Sequence, residues 1–200
     1  MTTDTGALRT FFGPPRTPGE STVGSVGSAL VIALLVAYVW QAGGWHGWSV
    51  LQIVVLAAMI FDLIFGIFTI STPTAKRWYH RPGARRFRVT FVMAHVAIYL
   101  VPLAALFDTG WVWCAANAGL LVGFAIAIEF APWELKSAVA LCLTLTVGLV
   151  NLIWLPLPAT LAWFPVVLAV KVLLCFLVPE TPRKVIEIDG SAQKFETTAR

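Results

Sequence analysis

The sequence predicts an all-α integral membrane protein with six transmembrane helices and both termini cytoplasmic. Three observations predict it. Apolar residues make up 58% of the 200 residues and charged residues 12%, with a mean hydropathy of +0.83. Soluble domains run at about 45–50% and about 25%. Six apolar runs of 17 to 21 residues punctuate the chain, close to the ~20 residues a helix needs to cross about 30 Å of hydrocarbon. Lysine and arginine fall on one set of connections only. A water-soluble fold this small could not dress its surface in polar groups, so composition excludes a soluble enzyme, a disordered chain and a nucleic-acid binder.

The runs lie at about 26–42, 50–70, 89–107, 111–130, 137–155 and 161–178. Helices are the reading in each case, because a segment in lipid must satisfy its own backbone. A β-barrel would show short strands of alternating polarity. The first run starts 25 residues into the chain and ends in Tyr38-Val39-Trp40-Gln41, without the small-residue site of a cleaved signal peptide. Residues 1–25, rich in Thr, Gly, Pro and Ser, read as a flexible cytoplasmic tail, and residues 179–200 as a second one.

Orientation follows from the cations. Of the 14 Lys and Arg, six lie in the connection 71–88, four after residue 178, two before residue 26 and one, Lys136, after the fourth run. The other three connections hold none, and Lys171 lies inside the sixth run. Positive charge resists translocation, so the termini and the even connections are expected on the cytoplasmic side of the plasma membrane. Trp40, Trp45, Trp48, Trp111, Trp113, Trp154 and Trp163 map to the opposite ends of the runs, where indole rings anchor at the headgroup level.

Packing signals are concentrated in the fourth and fifth runs. Ala115, Gly119, Gly123 and Ala127 recur every fourth residue, and the fifth run carries Ala140, Thr144, Gly148 and Asn151. Small residues let lipid-embedded backbones approach closely. Gly119, Gly123 and Gly148 are therefore expected to face one another or a second protomer, in a homodimer or a larger membrane complex. Cys114, Cys142 and Cys175 sit inside apolar runs and read as small core residues.

An ionisable group at membrane depth costs about 2.5–3.5 kcal/mol on insertion scales, and so asks for a reason. Asp62, His95 and Lys171 lie roughly 12, 9 and 10 Å below the inner surface at ~1.5 Å per residue. Tyr99 stands one turn after His95. One reading joins Asp62, His95, Tyr99 and Lys171 in a polar pocket, where Asp62 and His95 exchange protons and Lys171 holds an anionic group or balances Asp62. The other is a structural Asp62–Lys171 ion pair, with His95 bonded to a neighbour.

The connection 71–88 interleaves Arg77, His80, Arg81, Arg85 and Arg86 with Trp78, Tyr79 and Phe87. It is expected against anionic lipids of the inner leaflet, with arginine forks on phosphate. Glu129 and Glu134 read as solvated or paired with loop arginines. His46 has only Asp108 near it in the outer connections, too little for a metal site.

No HExxH, phosphate-binding glycine loop or nucleophile elbow is present. No catalytic residue, cofactor or metal is indicated. The functional expectation is a non-enzymatic membrane protein that binds or transports a small or lipid-like ligand, with proton coupling. An accessory subunit of a membrane complex and an enzyme acting on lipid at the inner leaflet are the alternatives.

Overall fold

A computed structural model describes residues 16–43 and 46–180. The elements are α1 (Pro18–Gln41), α2 (Val50–Ile70), α3 (Pro73–Tyr79), α4 (Arg85–Leu106), α5 (Trp111–Phe130), α6 (Lys136–Ile153) and α7 (Phe164–Ala169), which runs on into a π-helical segment, Val170–Phe176. Among the described residues there is no strand. Six segments are long and apolar enough to cross a membrane. Their outward faces carry exposed apolar side chains, among them Leu34, Val54, Ile98, Val112, Leu145 and Leu152. A soluble surface of that kind would aggregate, whereas acyl chains cover it at no cost. By length and composition, the six segments support a multi-pass membrane protein.

The sixth segment, Ala159–Phe176, is the axle of the bundle. Half of it is buried, against 17% for α1, and it packs on α2, α4, α5 and α6. Consecutive Lys171, Val172 and Leu173 are all buried, so this stretch has no lipid-facing stripe. Helix α1 lies at the edge, mainly on α2. Gly27 makes that approach close, since a Cβ there would stand 2.7 Å from the Phe68 ring. Helices α4 and α5 form a tight hairpin through Asp108-Thr109-Gly110, with Gly110 at φ 86°.

Several boundaries and faces differ from the sequence reading. Helix α1 begins at Pro18 rather than near residue 26, because Thr17 and Glu20 form a capping box. The part of the tail expectation covering 1–15, and all of it after residue 180, lie outside the described residues. The connection 71–88 contains α3, capped by Thr72, and is tied to α1 by Thr74, whose backbone N–H and hydroxyl donate to the Glu20 carboxylate at 3.2 and 3.0 Å. Gly119 and Gly123 do not face α6. A Cβ at either would meet nothing within 4 Å, and Ala115, Gly119, Gly123 and Ala127 all lie on the exposed face of α5. Gly148 is half-buried, and a Cβ there would stand 3.3 Å from Val166 Cγ2.

What joins α5 to α6 is a buried amide network. Asn151 Nδ2 donates to Asn117 Oδ1 at 2.8 Å, Asn117 Nδ2 donates to Asn151 Oδ1 at 3.1 Å, and Trp113 Nε1 donates to the same oxygen at 3.0 Å. Trp113 is thus a core residue rather than an interfacial anchor. Trp45 lies outside the described residues. Cys114 is buried, but Cys142 is exposed on the flank of α6.

Candidate functional site

Asp62, Tyr99 and Lys171 meet between α2, α4 and the π-helical segment. Lys171 Nζ donates to Asp62 Oδ2 at 2.7 Å, to the Tyr99 hydroxyl at 2.8 Å and to the Asp62 backbone carbonyl at 3.0 Å. The Tyr99 hydroxyl donates in turn to Asp62 Oδ2. The ammonium also stands 5.1 Å from the centre of the Tyr99 ring. An ammonium has three protons, and here three acceptors take them.

Gly66, one turn after Asp62, makes room for this. A Cβ on Gly66 would stand 2.5 Å from Lys171 Cε and 2.7 Å from Nζ. The lysine therefore enters α2 through the gap that a missing side chain leaves. The i+4 spacing of Asp62 and Gly66 puts carboxylate and gap on one helix face.

The two charges differ in surroundings. The Lys171 side chain is 3% exposed and the Asp62 side chain 64%. The carboxylate thus lies on the flank of the bundle, beside exposed Phe61. Phe61 stacks on Phe65 at 5.5 Å. Helices α2 and α4 touch only sparsely, which leaves Asp62 reachable from the side.

His95 joins the cluster only at second hand. Its Nδ1 pairs with the Phe91 carbonyl at 2.8 Å; since a carbonyl only accepts, Nδ1 carries the proton. The ring stacks on Phe91 at 3.8 Å and stands 5.7 Å from the Tyr99 ring. No direct Asp62–His95 bond forms; Tyr99, bonded to Asp62, meets the imidazole by ring contact alone. Lys171, with its protons spent, has none left for an anionic group.

The basic connection divides. Arg77 pairs with Glu180 at 2.8 Å and is not among the residues lining the pocket of the others. His80, Arg81, Arg85 and Arg86 line one open pocket of about 510 Å³, together with Arg88. His80 Nε2 donates to the Phe176 carbonyl at 3.0 Å, at the end of the π-helical segment. Burial of its ring, with Arg88 adding to the effect, lowers its pKa from 6.5 to about 4.

Arg88 and Glu129 form a buried fork that the loop reading did not isolate. Arg88 Nε and Nη2 donate to the two Glu129 oxygens at 2.5 and 2.8 Å, and Nη1 donates to the Tyr79 carbonyl at 3.0 Å. The Glu129 side chain is 2% exposed, and Arg85 and Lys136 stand 3.8 Å from it. One sequence signal existed. Arg88 precedes the third apolar run by one residue and Glu129 ends one residue before the fourth does, which sets opposite charges at one level of a hairpin. Asn117 was missed too, although it and Asn151 each sit a few residues from the same end of their runs.

Among the described residues no group of three or more His, Cys, Asp or Glu is placed to hold a metal ion. No family model, curated protein or solved structure matches the chain.

Proposed function

We propose that the chain is a plasma-membrane protein, with its basic connection and both termini cytoplasmic, that binds a small or lipid-like ligand at Asp62. The ligand reaches the carboxylate laterally, between α2 and α4. Lys171 and Tyr99 hold one carboxylate oxygen in place, and the other is presented to the incoming group. The group that fits is a donor, an ammonium or a hydroxyl, rather than an anion. Protonation of Asp62 weakens its hold on Lys171, so binding and proton exchange share one atom set, with Tyr99 and His95 as the inward branch.

One observation carries this reading: Lys171 is buried while its partner Asp62 is two-thirds exposed. A pair that served only to clamp helices would gain most with both members enclosed, where the low dielectric strengthens their attraction. An outward carboxylate at membrane depth is costly unless something covers it.

The test is mass spectrometry of the full chain purified in gentle detergent, beside Asp62→Asn. Asparagine keeps an oxygen for Lys171 and Tyr99 but removes the counter-charge of buried Lys171, so spectra are compared on the monodisperse folded fraction of each protein, with Tm measured alongside. The proposal expects a bound molecule on the wild type that the variant lacks. Identical spectra would leave Asp62 as a helix clamp alone.

A second reading, an accessory subunit, has its own support in the unpartnered small-residue face of α5. There Gly119→Ile with Gly123→Ile would displace a partner without unfolding the chain, since neither glycine touches its own bundle.

A further inference from the structure

The pocket at the start of α4 has the makings of an anion site separate from Asp62. It is concave, about 510 Å³, and its walls are His80, Arg81, Arg85, Arg86 and Arg88 around the Pro82-Gly83 turn. Gly83 has φ 80°, a left-handed conformation that suits glycine and folds α3 back towards α4.

Each wall residue has a distinct state. Arg88 is consumed by Glu129, and His80 is neutral and anchored to the Phe176 carbonyl. These two are frame. Arg81 is held flat, 4.4 Å above the Trp78 ring, with Nη1 donating to the Trp78 carbonyl at 2.7 Å. That leaves the other edge of its guanidinium for an incoming acceptor. Arg85 is 61% exposed and sits 5.2 Å over the Phe130 ring. Arg86 is exposed, with no carboxylate within ion-pair distance among the described residues.

Charge in the pocket is not balanced internally. Glu129 is the carboxylate its arginines reach, and that group already serves Arg88, with Arg85 and Lys136 beside it. Among the described residues, Arg81 and Arg86 remain as cations without an acid. The pocket wall also includes Ala84, the N-cap of the 22-residue α4, which offers no side-chain acceptor to the first-turn amides. A helix start adds partial positive charge and N–H donors to what the arginines provide.

We infer that this pocket binds a phosphate group, with Arg81 and Arg86 as its principal ligands, Arg85 as an accessory one, and the start of α4 behind them. Planar arginine forks match tetrahedral phosphate oxygens two at a time. Arg81 is pre-set by its stack on Trp78, so less side-chain freedom is lost on binding. Arg77, outside the pocket lining and paired with Glu180, takes no part. The phosphate comes from a lipid headgroup or from a free phosphate, and the same forks serve either.

The experiment uses native mass spectrometry on the full chain in a neutral sugar detergent, with two probes, dihexanoyl phosphatidylglycerol and inorganic phosphate. One probe is expected to bind at a single site, and which of the two binds identifies the source. Arg81→Gln with Arg86→Gln should weaken that probe about tenfold or more. Arg86→Gln alone, at an exposed position that cannot disturb the fold, should weaken it about threefold or more. Arg77→Gln should leave binding within about twofold, since general loss of positive charge is not what the site depends on. Absence of binding of both probes to the wild type overturns the inference. So does an Arg77→Gln loss as large as that of Arg81→Gln with Arg86→Gln.

Discussion

Replacing Gly66 by alanine probes the intramembrane cluster through one methyl group. The new Cβ would lie 2.5 Å from Lys171 Cε and 2.7 Å from Nζ. Carbon atoms rest at about 3.5–4.0 Å, so the end of the lysine must retreat by roughly 1 Å. Its bonds are 2.7, 2.8 and 3.0 Å long, and such a retreat takes at least one beyond hydrogen-bond reach. A bond to a charged group contributes about 1.5–3 kcal/mol. Alanine in place of glycine in a helix returns about 1 kcal/mol. The net expectation is a loss of about 0.5–2 kcal/mol, or about 1–8 °C in Tm for a chain of this length. Gly119→Ala is the control. Nothing lies within 4 Å of its Cβ, so only the helix-propensity gain remains and Tm should hold or rise. In a Lys171→Ala background the penalty of Gly66→Ala should vanish. The assay is thermal unfolding in detergent, followed by circular dichroism. Gly66→Ala and Gly119→Ala shifting Tm alike would refute the reasoning.

Three further outcomes follow from the buried polar groups. Glu129→Gln leaves the Arg88 guanidinium, 9% exposed, without its counter-charge, and should cost about 3–5 kcal/mol, seen as a Tm fall of about 6–20 °C. Asn151→Ala strips acceptors from Trp113 and Asn117 and should cost about 1–2 kcal/mol, while the Asn117→Ala, Asn151→Ala double variant should cost less than the sum of the singles in the same assay. His80 has its folded pKa lowered to about 4 by burial, from 6.5. The unfolded chain therefore takes up this proton first, and the stability present above pH 6.5 is lost as pH falls towards 4. A Tm measured across that window should drop more steeply for the wild type than for His80→Gln.

Composition and run length sufficed for the six helices, because hydrocarbon leaves the chain no other way to satisfy its backbone. The level shared by Asp62 and Lys171 was readable by counting residues from the helix ends. Their meeting was not, since it depends on which way each helix turns and on Gly66, whose role appears only once Lys171 passes over it. Conversely, Gly119 and Gly123 carry a familiar packing spacing yet face outward. Spacing sets which residues share a face, but it does not say what that face meets. Arg88 was hidden among five other cations of one connection, where charge counting treats all alike. Burial by Glu129 is what sets it apart. The π-helical turn around Lys171 has no sequence signature, because its widened ring depends on the neighbours that enclose it.

A ligand at Asp62 requires a carboxyl group that opens on the flank of the bundle. An apolar carbodiimide, which partitions into lipid and reacts with protonated carboxyl groups, tests this directly on the full chain in nanodiscs, read by peptide mass spectrometry. The prediction is labelling at Asp62 that a bound ligand suppresses, with enclosed Glu129 left unmodified. Labelling that spares Asp62, or that marks Glu129 equally, would contradict it.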